Sequence, residues 1–267
     1  MVRARRGRRS RRSSARQRPM EFPCGWGGRR KGAGRKPLAE RAGVPHRARA
    51  PLASRHPAHV TMRLRAGLPS LRRRMELETL MGAFGAGCER CGFRLVHYSV
   101  QANHLHLLVE GRNRERLARG LQGLAVRIAR SLNRLWRRSG GVFADRYHDH
   151  VLRTPREVWA ALRYVLCNAR KHGGWTSRTR PDPCSSGAWF DGWRGLSPTE
   201  LEAVPTARPR TWLLRRGWRR HGLLRVDAVT GGGAPPWPEP EVLDRGRALV
   251  RSARQHLARR RQRLLNL

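Results

Sequence analysis

Between His59 and Arg65 the sequence HVTMRLR alternates, with Val60, Met62 and Leu64 on one side and polar partners on the other, which predicts a strand. A Gly67-Leu68-Pro69 break follows. Leu71, Met75, Leu77, Leu80, Met81 and Phe84 then recur at helical spacing and predict a helix reaching about Cys91. FRLVHYSVQ, Phe93 to Gln101, is β-branched and aromatic and predicts a second strand. Ala102-Asn103 is a tight link into HLHLLVE, His104 to Glu110, so a hairpin is expected. In that last strand Leu105, Leu107 and Val109 face one way. His104 and His106 face the other.

The cleanest helical stripe comes next: Leu117, Leu121, Leu124, Ile128, Leu132 and Leu135 step by three or four. VFADRYHDHVL, Val142 to Leu152, predicts a fourth strand. TPRE then opens a helix, with Thr154 as N-cap, Pro155 in the first helical position and Glu157 closing a capping box. Val158, Leu162, Val165 and Ala169 form its apolar stripe, and His172 with Gly173-Gly174 ends it. The order β-α-β-β-α-β followed by a helix predicts an α+β, ferredoxin-like antiparallel sheet with helices on one face. The other face is expected to stay open.

This folded unit spans residues 57–174. Residues 1–56 hold 18 Lys and Arg against two acids, Glu21 and Glu40, with too few apolar residues for a core. They read as a disordered basic arm. Within it RRKGAGRKP sets Arg29, Arg30, Lys31, Arg35 and Lys36 around small glycines, as in an AT-hook, although a plain electrostatic tail explains the same run. Residues 175–267 read as a basic, helical extension. PDPCSSGAWFDGW is rich in turn formers, LSPTELEAV opens on a capping pattern, and TWLLRRGWRRHGLL and the C-terminal stretch look helical. The extension carries no recognisable chemistry.

Charge changes this picture. The chain has 58 Lys and Arg against 18 Asp and Glu, a formal +40, and only Lys31, Lys36 and Lys171 are lysines. Arginine forks match phosphate geometry, so a polyanion partner is expected; a compositional bias toward arginine contributes as well. Arg127, Arg130 and Arg134 on the long helix are candidate DNA contacts, or a solvated face. The five cysteines are odd in number and lack framework spacing, which fits a reducing cytoplasm; Cys88 and Cys91 form a lone CxxC. No apolar run approaches the ~20 residues of a membrane span, and no signal peptide is expected.

The candidate chemistry lies on the hairpin and the last helix. Tyr164 and Asn168 stand four apart, so they share one helix face, offset from the apolar stripe. A divalent cation held by His104, His106 and Asn168 would keep positions free for a phosphate, and Tyr164 would attack the phosphorus. Taken singly, each has a blander reading: histidines on a sheet surface, and a half-buried tyrosine with its hydroxyl in water. Tyr147, between Arg146 and His148-Asp149-His150, is a rival nucleophile without an amide at helical spacing. His97 lies on the neighbouring strand with no assigned role.

HLHLLVE resembles the His-hydrophobic-His (HUH) strand of the single-tyrosine transposases, and RYVLCNARKHG resembles their Tyr-x-x-x-Asn block. Tyr164 follows His104 by 60 residues, the family's usual interval. The REP-associated branch is most similar, except that Ala169 stands where that branch usually has proline. The resemblance covers residues 57–174. It implies cleavage and joining of single-stranded, hairpin-bearing DNA, a 5′-phosphotyrosine link to Tyr164, a free 3′-hydroxyl, and Mg2+ or Mn2+ as cofactor. It also implies a monomer, with a homodimer as the alternative. Three other readings compete. A histidine-triad nucleotide hydrolase wants a further histidine where Leu108 stands. A captured transposase fold would bind DNA without cutting it. A plasmid-type HUH nuclease normally has a three-histidine cluster and often a helicase, and this chain has no Walker loop.

Overall fold

The chain divides after Arg49 into two units. The computed structural model describes residues 49–171, 175–200 and 204–228, and from Ala50 on these belong to the second unit. The basic arm up to residue 48, with the AT-hook-like Arg29, Arg30, Lys31, Arg35 and Lys36, and the basic C-terminal stretch lie outside the described residues.

The elements follow the periodicities of the sequence: β1 (Ala58–Arg63), α1 (Arg74–Gly85), β2 (Glu89–Arg90), β3 (Phe93–Val100), β4 (His104–Gly111), α2 (Arg114–Leu135), β5 (His148–Val151) and α3 (Pro155–Lys171). A short α4 (Trp212–Arg215) is followed by a 3-10 turn at Gly217–His221. The strands form one antiparallel sheet in the order β2-β3-β4-β1-β5. The architecture is α+β, as expected.

Two elements are shorter than the sequence suggests, for local reasons. α1 stops at Gly85 rather than near Cys91. Gly85 and Gly87 bracket its end, and residues 89–94 fold back as a hairpin. Its turn residues Cys91 and Gly92 have φ of 45° and 86°, the left-handed pair a two-residue hairpin turn needs. The fourth strand is interrupted. Phe143 bridges to Leu64, residues 145–147 leave the ladder, and pairing resumes only at His148.

One face of the sheet carries the larger core. Val60, Met62, Leu95, Tyr98, Leu105, Leu107 and Val109 meet Leu80 and Phe84 of α1 and the leucine stripe of α2. α2 can lie close to β3 because position 120 is glycine; a Cβ there would come within 2.1 Å of the Phe93 ring. Asn113 caps α2 by accepting from the Arg116 N–H at 2.8 Å.

The second face is not open. α3 lies across it, and side chains of the extension roof α3 in turn: Phe190, Trp193, Leu213, Leu214, Trp218 and Leu224 join Val158, Leu162 and Val165 in a second core. The expected stripe of α3 is therefore only part of its buried surface, because the helix is sandwiched between sheet and extension. The capping box forms as expected, with Thr154 Oγ1 accepting from Glu157 N–H at 3.2 Å and Glu157 accepting from Thr154 N–H at 3.3 Å. Residues 197–200 of the second capping pattern are not helical. The extension is tied down by charge as well as by packing. Arg72 forms a two-pronged pair with Asp182 at 2.7 and 2.8 Å, and the buried Glu110 carboxylate accepts the backbone N–H groups of Arg210 and Thr211.

Candidate active site

Strand register decides what faces α3. Arg63 opposes His104, and Thr61 lies between His106 on one side and His148 on the other. His59 pairs with Leu108 and His150. Directly opposed residues share a face, so His59, Thr61, His104, His106, His148 and His150 all lie on the side that α3 covers. A β-bulge between Leu95 and His97 adds an extra residue to β3 and leaves both Val96 and His97 on this side too.

The histidines form a chain. His104 Nε2 lies 3.0 Å from His106 Nε2, and His106 Nδ1 lies 3.1 Å from His59 Nε2 and 3.3 Å from Thr61 Oγ1. His104 Nδ1 lies 2.8 Å from the Asn103 side-chain oxygen, which can only accept. His104 therefore carries its proton on Nδ1 and presents a lone pair at Nε2. Burial, reinforced by the neighbouring imidazoles of His150 and His104, pushes the His59 pKa down to about 3. A neutral His59 can accept at Nε2 from the Nδ1–H of His106. That arrangement turns a second lone pair, at His106 Nε2, toward the first. At this distance two lone pairs face each other only across a cation; in the other tautomer of His106 its Nε2–H donates to His104 Nε2 and its Nδ1 accepts from His59 or Thr61.

The helix completes the arrangement. The Tyr164 ring stands edge-on to His106 with centroids 5.1 Å apart, and edge-on to His59 at 5.8 Å. Asn168, one turn further along, is fully buried, and neither its amide nitrogen nor its oxygen has a hydrogen-bond partner. Leaving a buried polar group unpartnered costs about 1–3 kcal/mol. An amide oxygen kept in that state fits a ligand position.

These observations test the fit of a metal. Two donors ~2.1 Å from one octahedral cation stand ~3.0 Å apart, the separation of the two Nε2 atoms. An imidazole-amide set suits a first-row transition ion such as Mn2+ better than Mg2+, which prefers oxygen shells. Asn103 would hold His104 in its ligating tautomer, and His59 and Thr61 are outer partners able to accept from His106 Nδ1–H when His106 ligates. Among the described residues no group of three His, Cys, Asp or Glu side chains is arranged to hold a metal; the set here is two imidazoles and an amide.

The other sequence candidates lie elsewhere. Tyr147 packs against the first core, on the side of α1 and α2, whereas Tyr164 belongs to the second. Arg127, Arg130 and Arg134 ride on α2, across the sheet from Tyr164. His97 turns to the extension, with Nδ1 3.2 Å from Ser186 Oγ and its ring edge-on to Phe190. Cys88, Cys91, Cys167 and Cys184 form no disulfide with one another. No helix among the described residues is long and apolar enough to cross a membrane.

The residues that sequence reasoning missed are His59 and Thr61. The alternation of HVTMRLR already placed them opposite Val60 and Met62. Only the pairing of β1 with β4 sets them against His106.

The chain matches no protein-family model, and no curated protein is significantly similar to it in sequence. Among solved structures it is similar to a REP-associated tyrosine transposase bound to a REP hairpin. That likeness has a TM-score of 0.43 at 16% identity and covers 60% of this chain and 97% of that one.

Proposed function

We propose that the protein is a metal-dependent endonuclease and strand transferase acting on single-stranded, hairpin-bearing DNA, with Tyr164 as nucleophile. One observation carries this reading: the facing Nε2 atoms of His104 and His106, with Tyr164 edge-on to His106 and an unpartnered Asn168 one turn away. His104, His106 and Asn168 would hold the cation. When bound, Mn2+ or Mg2+ supplies charge that draws a phosphate into place and stabilises the oxygens of the transferring phosphoryl group.

The chain's own residues supply the rest. The Tyr164 phenol oxygen attacks phosphorus and gives up its proton. The bond from phosphorus to the 3′ oxygen breaks, and that oxygen takes up a proton to become a free 3′-hydroxyl. The product is a 5′-phosphotyrosine, which conserves the phosphodiester linkage, so attack by a 3′-hydroxyl rejoins the strand. The tyrosine is only 5% exposed, so this reading requires α3 to shift from β1 and β4 when DNA enters.

That same burial supports a second reading, a DNA-binding protein of transposase ancestry that does not cut. The two readings separate when the protein is mixed with hairpin-bearing single-stranded DNA and Mn2+ and run on a denaturing gel. Cleavage gives a DNA–protein adduct that Tyr164→Phe abolishes. Salt-sensitive binding with no adduct identifies the binding protein.

A further inference from the structure

The two imidazoles have neighbours on a third strand. Ser99 opposes His106 in the pairing of β3 with β4, and the backbone N–H of Gln101 donates to the His104 carbonyl at 2.9 Å. Opposed residues share a face, so Ser99 and Gln101 point with the histidines toward α3. They form a pair of their own, in which Gln101 Nε2 donates to Ser99 Oγ at 2.8 Å. That pair runs along β3 as the His104–His106 contact runs along β4, and adjacent strands lie about 4.8 Å apart. His59 and Thr61 flank the imidazoles from β1; Ser99 and Gln101 flank them from β3.

Hydrogen bonding orients the amide. With Nε2 spent on Ser99, Gln101 presents its oxygen, which accepts from no group among the described residues. The residue is only 4% exposed, although it stands at a hairpin end, where polar side chains ordinarily meet water. Asn168 is in the same condition, a buried amide whose oxygen accepts nothing. One of these amides belongs to the strand beside the imidazole pair and the other to the helix across it.

Coordination chemistry gives the combination a purpose. A six-coordinate cation that takes two imidazoles and two amide oxygens keeps two positions, enough for a phosphate oxygen and one oxygen of the reacting bond. All four protein donors are neutral, so the full charge of the ion stays available to the phosphate.

We infer that the amide oxygen of Gln101 is a fourth donor to the cation of the His104, His106 and Asn168 site. The inference rests on that proposed site and not on cleavage.

The test is calorimetric titration of the full chain with Mn2+ and with Mg2+, without DNA. Gln101→Met keeps the length of the side chain and removes the oxygen. It is expected to weaken Mn2+ binding at least about tenfold, the lower bound for losing even an outer partner. Gln101→Glu sets a charged oxygen in the same place and should tighten both ions, Mg2+ more than Mn2+, because Mg2+ prefers oxygen donors. Water-proton relaxation gives a second reading: Mn2+ bound to Gln101→Met should carry an additional exchangeable water. A glutamine that only braced Ser99 would alter the thermal stability of the metal-free protein and leave the water count and the Mn2+ to Mg2+ preference unchanged. That result, with Mn2+ binding still lost in His104→Ala, overturns the role of Gln101 alone. An unaltered chain that binds no Mn2+ overturns the metal site and this inference together. Gln101-dependent binding without any DNA adduct supports the inference and overturns cleavage alone.

Discussion

His59 Nε2 lies 3.1 Å from His106 Nδ1, joining a histidine of the first strand to the strand that carries the HUH-like pair. The contact fixes which nitrogen of His106 faces His104. His59→Ala removes that acceptor and is expected to weaken Mn2+ binding about ten- to a hundredfold. His59→Gln, whose side-chain oxygen can accept in its place, should keep more of the affinity. Isothermal titration with Mn2+ reads both, and an unchanged affinity in His59→Ala removes His59 from the site.

Asn168 gives an opposite pair of signs. Its buried amide has no partner, so Asn168→Leu removes an unsatisfied polar group and is expected to leave the metal-free protein as stable or more stable, by up to about 2 kcal/mol. The same variant should lose the rise in melting temperature that Mn2+ gives the unaltered chain. Thermal unfolding with and without Mn2+ measures both. A variant that is destabilised yet still responds to Mn2+ contradicts the assigned role.

Much of this arrangement was legible in the sequence. Alternation in HLHLLVE put His104 and His106 on one face, and the four-residue step put Tyr164 and Asn168 on another. Thr154, Pro155 and Glu157 marked the start of α3 within a residue. Periodicity within one segment cannot say which strand lies beside it, and so His59 stayed invisible until β1 paired with β4. For the same reason the second face looked open. Phe190, Trp193, Leu214 and Trp218 lie in turn-rich or basic stretches with no clean period, and only their packing on α3 shows them to be core.

Trp218 tests that last point. It is 1% exposed and packs in the second core with Phe190 and the leucines of α4. Trp218→Ala is expected to cost about 3–5 kcal/mol in chemical denaturation, the range for large-to-small changes in a core. A cost below about 1 kcal/mol would show the extension to be an appendage rather than part of the fold.

His97 sets an acid limit on stability. Burial pushes its pKa down to about 4, below the 6.5 it has when exposed, so the folded state holds it neutral. Between those values the unfolded chain binds a proton that the folded chain does not, and stability falls as pH drops from about 6.5 toward 4. Replacing His97 with Asn should flatten this part of the pH–stability profile by on the order of 2–3 kcal/mol. An equally steep profile in the variant would assign the acid sensitivity to other groups.

The central claim is that the phenol of Tyr164, and not that of Tyr147, is the group that takes the DNA phosphate. The most direct measurement is mass spectrometry of the protein after incubation with hairpin-bearing single-stranded DNA and Mn2+, followed by nuclease and protease digestion. The account predicts a nucleotide remnant linked through phosphate to the peptide containing Tyr164, and none on that peptide once His104 and His106 are replaced by alanine. A remnant on Tyr147, or an adduct indifferent to both histidines, contradicts it.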